Sequence, residues 1–244
     1  FALVVGGFIL FMAIFFIVKY SQTEQTSSNV QLSKELGVLL NPTETGLETS
    51  RVTLFELPAE TKIYNECYEA GNFGRQIIRT SQESFGKFQE NYIDVAFQNK
   101  YIFSENPVEG KKFYVFSKPF EFPFKVSDLI YITSTDKEYC FVNAPKEINE
   151  ELNSLKQENF LNVTMVDNCP KESEKVCFSS SQESGCDTIV RMGTKIVNKQ
   201  GKSVNFEGNV LMYAAIFSSP EIYECQVKRL MKRMSELAGI YDGK

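Results

Sequence analysis

The first eighteen residues, FALVVGGFILFMAIFFIV, carry no charged and no strongly polar side chain. As an α-helix this run would be ~27 Å long, close to the ~30 Å hydrocarbon thickness of a bilayer. Phe1, Val4, Phe8, Phe11, Phe15 and Val18 recur at alternating three- and four-residue steps, the spacing of a helical packing seam. The residues between them are almost all apolar as well, and a helix apolar on every side is buried all round. Gly6 and Gly7 each cost such a helix ~1 kcal/mol relative to alanine. Small residues belong where helices approach closely inside a membrane or a bundle. Lys19 and Tyr20 close the run as an interfacial pair, one basic and one amphipathic.

A secretory signal has a basic segment before its apolar stretch and a small-residue cleavage site behind it. Neither flanks this run, so the expectation is that Phe1 is a terminus left by a protease that removed a basic leader. That pattern resembles the type IV pilin superfamily, including archaeal adhesion pilins and archaellins. The resemblance extends over residues 1–40; where many bacterial members carry a glutamate this chain has Val5, which fits an archaeal member better. It implies a subunit whose helix is held first by membrane lipid and then by copies of itself in the core of an extracellular, cell-surface filament. The competing reading is a single-pass anchor carrying an extracellular binding or adhesion domain.

The remaining residues suffice for one large domain or two small ones. A net charge of −5, thinly spread, gives no sign of nucleic-acid binding. The six cysteines, Cys67, Cys140, Cys169, Cys177, Cys186 and Cys225, all lie outside the apolar run. In a chain delivered across a membrane an even number points to disulfides, with 15 possible pairings. The close spacing of Cys169, Cys177 and Cys186 favours at least one short bridge, and Cys225 would pin the last helix to the domain. Buried reduced thiols are the alternative. Asn162-Val163-Thr164 is a glycosylation sequon.

The expected fold class is α+β. A long helix over 1–40 is followed by a hinge at 41–50, a β-rich part at 51–135 and an α/β part at 136–244. In the first part, short aromatic and β-branched segments separated by turn residues predict a sandwich or curled antiparallel sheet. Val52, Leu54 and Leu57 are expected near one face, and Pro119 and Pro123 are expected to keep FEF out of the sheet interior. In the second part, KEYCFVN, PKEINEELNSLKQEN and FLNVTMV read as a βαβ unit. DTIVRM, TKIVNK and KSVNFEG read as hairpin strands turning at Gln200-Gly201, and NVLMYAAIF as a central strand. A C-terminal helix is predicted with Ser218 and Glu221 as a capping box and Gly239 as its stop. Lys228, Arg229, Lys232 and Arg233 are placed on its solvent face.

Catalytic patterns are largely absent: a Ser-Lys or paired-carboxylate mechanism stays formally open, but the acidic residues show no cluster that would raise one pKa beside another. With no histidine in the chain, Ser-His-Asp and Cys-His pairs are excluded, as is the commonest metal ligand. Gly201-Lys202-Ser203 resembles the tail of a phosphate loop, but Ile196 stands where its first glycine belongs. Asn143-Ala144-Pro145 replaces the glycine fingerprint of a dinucleotide site. No catalytic residue, cofactor or metal is expected, and the function expected is that of a structural subunit.

Overall fold

The computed structural model describes residues 5–17, 19, 52–84, 86–88, 94–179 and 184–242. An N-terminal helix, α1, is described over residues 5–17. Among the described residues, thirteen strands, three more α-helices and one turn of 3-10 helix (Val166–Asn168) follow.

Strand β1 (Val52–Tyr68) opens the first sheet. A register shift between Glu56 and Thr61 against its neighbour marks a bulge, which bends and twists a strand. Strands β2 (Arg75–Ser84), β3 (Lys87–Phe88), β4 (Val95–Phe97), β5 (Tyr101–Phe103), β6 (Val108–Glu121) and β7 (Lys125–Ser134) complete it. The order is β3-β2-β1-β6-β7-β5, with β4 on β2. The β1–β2 turn needs Gly74: its φ is +60°, and an added Cβ would lie 2.4 Å from the Tyr68 carbonyl oxygen.

This sheet curls until its ends meet. Side chains of Asn65 on β1 and Gln76 on β2 both reach the backbone of Ile102 on β5, a strand from the far end of the order. Inside the curl lies an apolar cluster drawn from five strands, including Leu57, Ile63, Ile78, Ile102, Phe113 and Ile130.

The second sheet comprises β8 (Tyr139–Val142), β9 (Phe160–Val163), β10 (Glu174–Phe178), β11 (Thr188–Arg191), β12 (Ile196–Lys199) and β13 (Lys202–Asn205). Its order is β13-β12-β11-β10-β8-β9. Helix α2 (Lys146–Ser154) crosses from β8 to the parallel β9, burying Ile148 and Leu152. The β12–β13 hairpin turns at Gln200 and Gly201, with φ of +52° and +73°. Two positive φ values in a two-residue loop match the right-handed twist of the strands it joins.

Between the sheets runs helix α3 (Gly208–Phe217), buried at every position from Leu211 to Phe217. Phe217 at its end meets aromatic rings of both sheets, among them Phe116 at 5.7 Å and Tyr139 at 5.2 Å. Helix α4 (Pro220–Asp242) follows and packs on β1, β5, β7 and β13. One core therefore joins the outer face of the curled sheet, α3, and the inner face of the second sheet.

The expected architecture is corrected in two respects. Of the long helix expected over 1–40, the described part is α1 at residues 5–17, ~20 Å in length, and among the described residues no helix is long and apolar enough to cross a membrane. The sheets are mixed instead of mostly antiparallel: β5 pairs β7 in parallel, and β9, β8, β10 and β11 form a parallel run. The parallel pairs arise because the crossovers at 143–159, 164–173 and 179–187 return the chain to the same end of the sheet.

Smaller expectations also change. NVLMYAAIF is helix α3, because a run buried on all sides lacks the contrast that tells helix from strand. Leu54 is 53% exposed; Phe55 points inward instead and stacks on Phe113 at 5.1 Å. Pro119 is part of β6, paired with Asp128. Its missing N–H lies beyond Phe116, the last residue of β6 with a described partner in β1. Ser218 donates back to Ala214 O at 2.6 Å and does not cap α4; Ser219 Oγ accepts from the Ile222 N–H. Helix α4 runs past Gly239, and Arg229 is fully buried. Expectations for 20–50, including the hinge, lie outside the described residues.

Candidate functional site

The assembly residues predicted from sequence lie on α1. Ten of its large apolar side chains are more than a third exposed, including Phe8 at 63%, Phe11 at 64% and Phe15 at 48%. None belongs to a hydrophobic cluster of the head. Phe11 and Phe15 stack along one side of the helix, 6.5 Å between centroids. An added Cβ at Gly6 or Gly7 would meet nothing within 4 Å, so neither glycine is required by contacts among the described residues. Phe1, Val4 and Val18 lie outside the described residues. An exposed apolar surface of this extent marks an interaction site.

All six cysteines are paired: Cys67–Cys225, Cys140–Cys169 and Cys177–Cys186. Three disulfides are consistent with an extracellular or secreted protein. The first ties α4 to β1. The other two lie together on the face of the second sheet turned away from α3, where Cys140 and Cys177 pack with Val142, Val163 and Val166. Parallel strands normally need cover on both faces. Here α3 supplies it on one side, and on the other loops held down by two disulfides. The sequon residue Asn162 is on β9, its Nδ2 donating to Asn153 Oδ1 at 3.0 Å.

Sequence reasoning missed a set of buried and half-buried charges. Glu105, Lys137, Glu174 and Lys199 form a quartet where the two sheets meet. Lys137 lies 2.9 Å from Glu174 and 3.5 Å from Glu105. Lys199 pairs with Glu105 and donates to Ile216 O. Burial opposes the charge on Lys137, yet Tyr139, Glu105 and Glu174 raise its pKa above that of a free lysine. Burial also pushes the Glu174 carboxyl up, but Lys199 and Lys137 outweigh it and hold the group below the usual carboxylate range. A second group joins β6, α2 and α3: Lys118 pairs with Glu151, which accepts from the Tyr213 hydroxyl at 2.7 Å. Burial and then this carboxylate raise the Tyr213 pKa. Two positive and two negative charges neutralise one another in the quartet, an arrangement that holds elements together. No sequence period distinguishes these lysines from solvated ones, because their partners come from distant segments.

Arg229 also escaped notice. Its guanidinium donates to the carbonyl oxygens of Phe73, Lys100, Phe97 and Gln98 and to Gln226 Oε1, and it lies 5.1 Å from the Tyr101 ring centre. Among the described residues, no three cysteine or carboxylate side chains are grouped to hold a metal ion. No family model, curated protein or solved structure matches this chain.

Proposed function

We propose that the chain is a structural subunit of an extracellular, pilus-like filament, polymerising through α1 and displaying its disulfide-tied head at the cell surface. The observation that carries this reading is α1 itself: an uncharged helix with exposed apolar side chains around it that joins no hydrophobic cluster among the described residues. Burying each Phe, Leu or Ile gains about 1.5–3 kcal/mol, so α1 is driven out of water. Membrane lipid hosts it before assembly, and other copies of α1 host it afterwards. Lipid is already apolar, so the step from membrane to filament depends on close packing, which Gly6 and Gly7 permit. Phe8, Phe11 and Phe15 supply the described part of the seam. The role requires no catalysis, cofactor or nucleic acid.

The test is negative-stain microscopy of sheared surface material from cells making the wild-type chain, Gly6→Leu or Gly7→Leu. Filaments are expected from the wild type alone, with head folding unchanged in both variants. Undiminished filament yield in both variants overturns close helix packing. A second reading, a lone binding head on an anchor, is favoured by a cleft in the second sheet. It predicts no filaments from any of the three and single copies extracted by detergent.

A further inference from the structure

In the parallel part of the second sheet the chain leaves β8 toward β9 on one side and leaves β10 toward β11 on the other. The loops after two neighbouring strands thus part in opposite directions at their carboxyl ends. In open sheets this switch point is where ligands bind. A cavity of about 350 Å³ opens there, within the size range of small-molecule sites. The walls come from Asn143 after β8, Phe178 at the end of β10, and Arg191, Met192 and Thr194 around the β11–β12 turn.

Among the described residues lining the cleft, Arg191 is the one that carries a charge. Its Nη1 donates to Asn198 Oδ1 on β12, which fixes the guanidinium while leaving most of its five-donor fork available. Phe178 and Met192 give the cleft an apolar wall. One fixed cation matches one negative charge, and the planar fork matches a carboxylate. A phosphate dianion would call for a second cation. The adjoining first turn of α2 has no side-chain cap at Pro145, which adds to the positive potential without defining the site.

We propose that this cleft binds a small organic monocarboxylate, its carboxylate on Arg191 and its body against Phe178 and Met192. The site is independent of the filament reading, because it lies in the head and uses no residue of α1.

The chain has no tryptophan but six methionines, so methyl resonances of 13C-labelled methionine in the full chain report on the cleft. The probes are isovalerate and galacturonate, which separate an aliphatic from a sugar acid, and isovaleramide and galactose, their counterparts without the charge. Either carboxylate should shift the Met192 methyl saturably, while Met165, 61% exposed and outside the cleft, stays still. Binding should weaken by about ten-fold or more in the uncharged counterpart and in Arg191→Gln. Thr194→Phe, a rim substitution that removes no buried contact, should block it. A Met192 methyl unmoved by both acids, equal binding by Arg191→Gln, or Met165 shifting in parallel would overturn the assignment.

Discussion

Gln76 and Ile102 are bonded as two paired strands would be: Gln76 Oε1 accepts from the Ile102 N–H at 3.0 Å, and Gln76 Nε2 donates to the Ile102 carbonyl at 2.9 Å. A side-chain amide thus takes the place of a peptide group and joins the ends of the curled sheet without a further strand. The Ile102 carbonyl has other donors in Asn65 and Gln226; Gln76 is the partner its N–H has on that edge.

Gln76→Ala therefore leaves a buried N–H without its acceptor. An orphaned buried polar group costs about 1–3 kcal/mol, so a loss near 3 kcal/mol is expected in urea unfolding, with faster hydrogen exchange at Ile102. A loss under about 0.5 kcal/mol would mean that the sheet ends are held by apolar packing alone.

Arg229 bears on the same junction from α4. Arg229→Met keeps the apolar stem but strands the carbonyls of Phe73, Phe97, Gln98 and Lys100 together with Gln226. Removing one side of a buried charged network costs roughly 3–5 kcal/mol, enough to lower the thermal midpoint by ten degrees or so. Arg229→Lys should recover little, because one ammonium has three donors and no planar fork. Near-equal midpoints for all three proteins would show the network to be dispensable.

How much of this was legible in the sequence depended on the range of the signal. The Gln200-Gly201 hairpin and the β8–α2–β9 unit are set by neighbours in the chain, through turn geometry and the apolar spacing of Ile148 and Leu152. Helix α3 was misread because a segment enclosed by two sheets is apolar throughout and shows no period. Arg229 was placed in solvent because the carbonyls that satisfy it come from residues 73–100, which no helical pattern in α4 can reveal. The six cysteines were recognisable as a disulfide set, but pairing is decided by which strands lie side by side. Exposed α1 stood out at once, since its lack of charge is a property of composition alone.

Glu174 makes part of the stability dependent on pH. Its folded pKa is depressed, so its contribution is fully present above the ordinary carboxylate pKa of ~4.3 and is lost as pH falls through the lower folded value. Glu174→Gln should be less stable than wild type at pH 7, and the gap should narrow between about pH 5 and pH 3. Denaturant unfolding at several pH values measures it. A gap that stayed constant or widened in acid would show that Glu174 is not held charged by Lys137 and Lys199.

Cys67–Cys225 closes a span of 158 residues and Cys177–Cys186 one of 9. On chain entropy alone the first stabilises by about 5 kcal/mol and the second by about 2.6 kcal/mol. The consequences should differ in kind as well as size. Cys67→Ser/Cys225→Ser frees α4, lowering overall stability while the second sheet keeps its cover. Removing Cys140–Cys169 and Cys177–Cys186 together releases the loops that shield Val142 and Val163, so the native protein should bind the apolar dye ANS before it unfolds. Dye binding at constant secondary structure, compared across the two variants, separates the cases. If both variants leave the dye unbound, those loops stay in place through apolar contacts, and the two bridges are not what seals that face of the sheet.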